Sequence, residues 1–125
     1  MKLLNSFYHI DRNIETETGF AFDISFNEDH PIYKAHFPEK PITPGVCIIQ
    51  IAQELIEEQM QRQLFLKKVT NIKYLAVLSP KENKSVTYSF SKISKDEAEL
   101  KAHVLIENEN GAFAKLSLVF CYDRI

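Results

Sequence analysis

The sequence has few of the residues on which several common kinds of site depend. Its three glycines form no glycine-rich phosphate loop, and Cys47 and Cys121 have neither metal-site spacing nor the framework of a secreted disulfide protein. We therefore expect both cysteines to be reduced core residues. We also expect no metal ion and no cofactor, because the sequence suggests no convergent set of ligands.

Long apolar runs and an excess of positive charge are also absent. No segment approaches the ~20 consecutive apolar residues of a membrane-spanning helix, and no signal peptide is visible. The formal net charge of −2 and the lack of a basic stripe argue against a general nucleic-acid binder. These features predict a soluble, cytoplasmic protein that acts without nucleic acid or membrane.

The residues that are present suit one small domain covering residues 1–125. With 45% hydrophobic residues, including nine Phe and five Tyr, the chain has enough apolar side chains for a core. The first ten residues fit either a short helix or a capping strand, and Asn110-Gly111 predicts a hairpin turn between the last two strands. Strand patterns occur at 14–26, 69–78, 86–90, 98–106 and 112–122.

The segment around His36 is rich in proline. Pro38, Pro41 and Pro44 fall within seven residues, and each fixes its own φ near −65° and biases the residue before it to extended geometry. The pattern predicts a stiff, non-helical loop that presents the histidine side chain.

A long helix is predicted after this loop, over residues 44–63, with Thr43 as N-cap and Pro44 as the first helical residue. The amides of Gly45 and Val46 would then have no intrahelical partner at the positive end of the helix dipole. Such amides suit a carbonyl oxygen that gains negative charge, and a glycine allows close approach. The alternative is a helix start that needs Pro and Gly for geometry alone, with an ordinary loop histidine before it.

The order His-Phe-Pro-x-x-Pro-[apolar]-x-Pro-Gly-Val, followed by a long apolar helix, resembles the 3-hydroxyacyl-[acyl-carrier-protein] dehydratases of the FabZ and FabA type. The resemblance is specific over residues 31–53 and looser to the end of the chain. It implies an α+β hotdog fold, a single domain in which an antiparallel β-sheet wraps a long central helix. It also implies a homodimer, or a higher oligomer such as a trimer of dimers, whose active sites combine residues of two subunits.

The resemblance assigns roles to residues by position. His36 maps onto the family's catalytic histidine, and Gly45, with Val46 beside it, maps onto the glycine whose amide binds the thioester carbonyl. The family's catalytic carboxylate lies five residues beyond the glycine, where this chain has Gln50, contributed by the partner subunit. The side chains expected to line the substrate tunnel are Phe37, Ile42, Ile48 and Ile49.

Gln50 is the departure from the family pattern with the largest chemical consequence. Dehydration needs a base for the C2 proton and an acid for the departing hydroxyl, and an amide supplies no proton near neutral pH. General acid catalysis contributes on the order of 100- to 10,000-fold, so its loss predicts a slow dehydratase rather than an inactive one. Gln50 can still hold the hydroxyl or a water. Either His36 then returns the abstracted proton, or Glu54 acts through a water.

Helical periodicity gives a plainer interpretation, in which Gln50 is a solvated residue. It shares one helix face with Gln53, Glu54, Glu57 and Gln61.

Two other functions remain open at this stage. One is a thioesterase in which Gln50 or a nearby carboxylate positions a hydrolytic water while His36 only binds substrate. The other is a non-catalytic subunit that depends on a companion chain for its carboxylate. In the dehydratase interpretation the partner is acyl carrier protein, whose acidic surface would meet Lys34, Lys40 or Lys67-Lys68 unless these lysines are simply solvated.

Overall fold

The computed structural model describes residues 2–36 and 39–124. The strands form one antiparallel sheet in the order β1-β2-β4-β5-β6-β3, and the larger helix packs against it. Within the described ranges, no helix is long and apolar enough to span a membrane. The elements are β1 (Tyr8–Thr16), β2 (Gly19–Phe26), α1 (Pro31–His36), α2 (Gly45–Met60), β3 (Phe65–Tyr74), β4 (Ser85–Lys95), β5 (Glu99–Asn108) and β6 (Gly111–Cys121).

The amino-terminal part of the chain is a hairpin, where the sequence pattern predicted one strand over 14–26. Strands β1 and β2 pair antiparallel, with Thr16 opposite Gly19. Most of β1 is exposed at the edge of the sheet, so its side chains do not alternate clearly between apolar and polar. Residues 2–10 hold a turn at 5–7 and the start of β1, so the short helix predicted there as one option is wrong.

The hairpin predicted near the carboxyl terminus is confirmed. Asn108 on β5 pairs with Gly111 on β6, so the two turn residues are Glu109 and Asn110, one position earlier than the predicted pair. Gly111 has φ of 131°, in the region that favours glycine.

Helix α2 packs one face on the sheet. It ends at Met60, three residues before the predicted end, because Gln61 adopts a left-handed conformation with φ of 54°. The hydroxyl of Tyr88 on β4 donates to the carbonyl of Ile48 at 3.0 Å. The buried residues of the helix are Cys47, Ile48, Ile51, Ala52, Glu54, Leu55 and Ile56. Cys47 and Cys121 are both free and buried, as predicted.

The segment before α2 differs from its prediction. His36 is the last residue of α1, so the expectation that it lies in a non-helical loop is wrong. A short helix forms because Pro31 occupies the first helical position, where a missing N–H costs nothing. The ring of His30 also caps this helix, since its Nδ1 accepts a hydrogen bond from the amide of Ile32 at 3.1 Å.

The predicted cap of α2 is also wrong by one residue. Pro44 is the N-cap, with φ of −62° and ψ of 146°, and the helix begins at Gly45. Thr43 is buried, and its hydroxyl shares a hydrogen bond of 3.0 Å with the hydroxyl of Tyr33 on α1. Its amide donates to the carbonyl of Leu78 at 2.8 Å. These long-range contacts replace the local cap that the sequence suggested.

Candidate active site

The end of α1 is tied to the start of α2 by the hydrogen bond between Tyr33 and Thr43. Tyr33 lies three residues before His36, and Thr43 lies two residues before Gly45. Both side chains are buried, and the Tyr33 ring stacks on Phe7 with centroids 4.8 Å apart. The backbone of His36 and the amino terminus of α2 therefore belong to one packed unit.

Part of the predicted site falls outside the described structure. For His36 only the backbone, at the end of α1, is described, and Phe37 and Pro38 lie outside the described residues. The roles predicted for His36 and Phe37 stay predictions.

The amino terminus of α2 presents backbone donors. The carbonyl of Pro44 accepts the amides of Cys47 at 3.0 Å and Ile48 at 3.2 Å. The two amides before these, those of Gly45 and Val46, donate to no backbone carbonyl of the described residues. They lie at the positive end of the helix dipole, where an oxygen carrying partial negative charge is stabilised.

An apolar recess of about 180 Å³ lies at Gly45, the first residue of α2. Of the predicted tunnel residues, Ile42 and Ile48 line it together with Gly45. Ile49 does not line it and packs instead against the hydrophobic core. The remaining walls come from Thr43, Tyr74, Ala76, Val77 and Leu78.

Tyr74, at the end of β3, is a site residue that the sequence analysis missed. A Cβ built on Gly45 would lie 2.3 Å from the Tyr74 hydroxyl oxygen, so the phenol lies directly over the Gly45 α-carbon. Burial of this end of the side chain raises the pKa of Tyr74, although the residue as a whole is 51% exposed. The contact joins β3 to α2, and neither segment has a local pattern that would reveal it.

Gln50 is half-buried and hydrogen-bonded, unlike the solvated residue of the plainer interpretation. It lies on α2, five residues after Gly45, and its Nε2 donates to Oε2 of Glu54 at 2.8 Å.

Glu54 is itself buried, with 6% of its surface exposed. Its two oxygens also accept the amides of Leu3 and Leu4, each at 2.8 Å, and the hydroxyl of Tyr8 at 3.1 Å. The amino-terminal segment therefore covers the carboxylate, which does not favour the alternative in which Glu54 protonates a leaving group through a water.

The remaining polar candidates are the lysines predicted to meet the carrier protein. Lys67 forms an ion pair with Glu99, while Lys34 and Lys40 are exposed.

In the part of the chain that the structure describes, no three His, Cys, Asp or Glu side chains come together in a way that would hold a metal ion.

Comparison with known families gives a match over most of the chain. The model of the ApeI-like family, described as ApeI dehydratase, matches residues 12–115. The chain is 31% identical over 88 residues to the 3-hydroxyacyl-[acyl-carrier-protein] dehydratase FabZ of Wolbachia pipientis wMel, covering 59% of this chain and 58% of that protein. It is 26% identical over 121 residues to the FabZ of Latilactobacillus sakei strain 23K, covering 88% and 85%. The chain thus spans less than two thirds of the length of the Wolbachia relative.

Solved structures support the fold. The dehydratase heterocomplex ApeI:P from Xenorhabdus doucetiae is similar with a TM-score of 0.64 and 15% identity, covering 90% of this chain and 96% of that one. A protein from the thioesterase superfamily is similar with a TM-score of 0.61 and 14% identity, covering 93% and 84%. At these identities the likeness establishes only the architecture, which fits an α+β hotdog.

Proposed function

This chain belongs to the ApeI-like dehydratase family, and we propose that it removes water from 3-hydroxyacyl thioesters of acyl carrier protein to give trans-2-enoyl thioesters. The observation that carries the proposal is the amino terminus of α2, where Gly45 lines the apolar recess and the amides of Gly45 and Val46 donate to no backbone carbonyl of the described residues. A thioester carbonyl at these amides would be polarised while its acyl chain follows the apolar wall.

The chemistry requires two proton movements. Polarisation of the carbonyl acidifies the C2–H bond, and His36 takes that proton as general base. The electron pair of the broken C2–H bond forms the C2–C3 double bond as the C3–O bond breaks. The leaving hydroxide must receive a proton, and the imidazolium of His36 returns the one it removed, so the net loss is one water.

Gln50, contributed by the partner subunit, holds the substrate hydroxyl or a water in this scheme and donates no proton. Its half-buried position on α2 and its fixed hydrogen bond to Glu54 support a binding role. Because no separate acid takes part, we expect a rate below that of a dehydratase with a carboxylate in this place.

A homodimer is the proposed assembly, formed through β3. This strand lies at one end of the sheet, and nine of its ten residues are exposed. Exposed apolar side chains on an unpaired edge strand favour pairing with another chain. The large exposed apolar residues at or next to β3 are Leu66, Val69, Ile72, Tyr74, Leu75 and Val77, and Val46 lies at the start of α2.

The proposal is tested by assaying the native protein, Gln50→Glu and His36→Ala on a 3-hydroxyacyl thioester of acyl carrier protein. Enoyl formation and release of free thiol are followed together. We expect slow dehydration by the native protein and loss of at least 100-fold in His36→Ala. Gln50→Glu should gain tenfold or more, roughly 1.4 kcal/mol in the barrier. Thiol release without enoyl product would show that the protein hydrolyses thioesters and does not dehydrate them.

A heteromeric enzyme is the second candidate. The amide at position 50 favours it, and so does the similarity in fold to a protein described as a dehydratase heterocomplex. In this case the isolated chain would not convert the substrate, and a second chain of the same fold would supply the acid. Co-purification of such a chain, with activity appearing only in the mixture, would select this candidate over the homodimer.

A further inference from the structure

The apolar recess at the start of α2 contains a hydroxyl group that the fold leaves available. Of the side chains that line this recess, those of Thr43 and Tyr74 carry a hydroxyl. The Thr43 hydroxyl is engaged, because it shares a hydrogen bond of 3.0 Å with Tyr33. The Tyr74 hydroxyl has no hydrogen-bond partner among the residues that the structure describes, and the residue is 51% exposed. It can therefore bond to a molecule that enters the recess.

The hydroxyl oxygen of Tyr74 also lies close to the amide of Gly45. A Cβ built on Gly45 would be 2.3 Å from this oxygen. Two covalent bonds of about 1.5 Å each would join such a Cβ to the Gly45 nitrogen, so the nitrogen and the hydroxyl oxygen are within about 5 Å of each other. Two hydrogen bonds of about 2.7–3.0 Å to one shared acceptor can span donors up to about 5.7 Å apart. A single oxygen atom can therefore accept from both groups.

We propose that the Tyr74 hydroxyl is a catalytic hydrogen-bond donor that binds the thioester carbonyl oxygen together with the amide of Gly45. This inference rests on the proposed function, in which that carbonyl binds at the start of α2. Negative charge develops on the carbonyl oxygen as the C2 proton is removed, and a donor directed at this oxygen stabilises the charge. Tyr74 then shares with the helix amide the polarisation that makes the C2–H bond acidic.

The hydroxyl acts here as a donor that keeps its proton. Burial raises the pKa of Tyr74 above its ordinary value of 10.0, so the group is protonated near neutral pH. It stabilises the carbonyl oxygen by hydrogen bonding alone, and the proton that His36 removes and returns is still the one that moves. Tyr74 therefore does not replace the acid that is missing at position 50.

The competing explanation for the position of Tyr74 is packing. Its ring is one of the large exposed apolar groups at β3, through which the dimer is proposed to form. Phenylalanine would serve that packing equally well, because it has the same ring without the hydroxyl. The variant Tyr74→Phe therefore separates hydrogen bonding from packing. Tyr122→Phe is the matched control, since Tyr122 is half-buried, contacts the Arg62 guanidinium at 4.1 Å and does not line the recess.

The test has one readout that depends on turnover and one that does not. The first is kcat and KM for dehydration of a 3-hydroxyacyl thioester of acyl carrier protein. The second is the infrared stretching frequency of the carbonyl in a ¹³C-labelled ketone analogue of butyryl-pantetheine, in which a CH₂ group replaces the sulfur. This ketone can be neither dehydrated nor hydrolysed, and each hydrogen bond that its oxygen accepts lowers the stretching frequency.

We expect the native protein to lower the stretching frequency of the ketone below its value in water. Tyr74→Phe should shift the frequency back toward that value and reduce kcat at least tenfold, with KM changing less than threefold. Tyr122→Phe should change neither. The proposal is overturned by a frequency in the native protein that equals the value in water, by the same frequency in the native protein and Tyr74→Phe, or by equal kcat values for the two variants.

Failure of the proposed function would be visible separately. If the native protein forms no enoyl product, dehydration is excluded, and the stretching frequency of the ketone alone decides whether Tyr74 donates to a bound carbonyl. If the native protein dehydrates its substrate while Tyr74→Phe behaves like Tyr122→Phe, the function stands and the role of Tyr74 is excluded. Circular dichroism and thermal unfolding establish that the compared proteins are folded.

Discussion

The hydroxyl of Tyr74 lies over the α-carbon of Gly45, so that a Cβ on this glycine would lie 2.3 Å from the hydroxyl oxygen and 2.8 Å from the ring carbon that bears it. Glycine is therefore required here by the protein's own packing. The contact also ties the carboxyl end of β3 to the amino terminus of α2, where the thioester carbonyl is proposed to bind.

Gly45→Ala is expected to destabilise the protein by about 1–3 kcal/mol, because the added methyl group must displace the phenol or the helix start. In the Tyr74→Ala background, Gly45→Ala should cost much less stability than it does in the native protein. Chemical denaturation of the four proteins gives the coupling energy between the two positions. Additive effects would show that the cost of Gly45→Ala does not come from its contact with the Tyr74 phenol.

The family and the coarse fold could be predicted from the sequence because both depend on local patterns. The proline-rich segment with Gly45 led to the dehydratase family, and alternating apolar residues led to most of the strands. The missed strand, β1, lies at an edge where most side chains are exposed, so burial imposes no alternation on it.

The finer contacts of the candidate site could not be predicted because they join residues far apart in sequence. Thr43 was expected to cap α2, yet its hydroxyl bonds Tyr33. Leu3 and Leu4 reach Glu54 across about 50 residues, through backbone amides that carry no sequence signal. Local propensity describes a cap or a helix face, whereas tertiary packing decides which partner a polar group finds.

Charges introduced on β3 are expected to convert the proposed dimer to a monomer. Val69 and Ile72 are 36% and 37% exposed on this edge strand, and lysine there would bring like charges of two chains together. Light scattering should give a mass near 14.5 kDa for Val69→Lys/Ile72→Lys and about twice that for the native protein. Thr16→Lys, on the opposite edge strand, is the control. An unchanged mass in the β3 variant would exclude this strand as the interface.

High pH is expected to unfold the protein through its buried tyrosines. Burial is the main cause that raises the pKa values of Tyr8, Tyr33 and Tyr88 above their ordinary value of 10.0. The folded state therefore binds these protons more tightly than the unfolded chain does. The resulting stabilisation is fully present below pH 10.0 and decreases as the pH rises above it.

Phenolate absorbance followed together with circular dichroism measures this effect. In the folded protein these three tyrosines should ionise only as the secondary structure is lost, whereas in denaturant all five should ionise near the ordinary value. Ionisation of all five with the fold intact would show that the hydroxyls are accessible.

Gln50→Glu is expected to create an acid whose protonation depends on Glu54. The substitution places a second carboxyl group at the position from which Gln50 now donates to Glu54 at 2.8 Å. Two carboxylates this close share a proton, which raises the apparent pKa of the pair and keeps an acid available at higher pH. The alkaline limb of the dehydration rate should therefore lie at higher pH in Gln50→Glu than in Gln50→Glu/Glu54→Gln, where an amide donates to the new carboxylate and lowers its pKa. Coincident pH profiles for the two variants would show that the side chains at positions 50 and 54 do not interact during turnover.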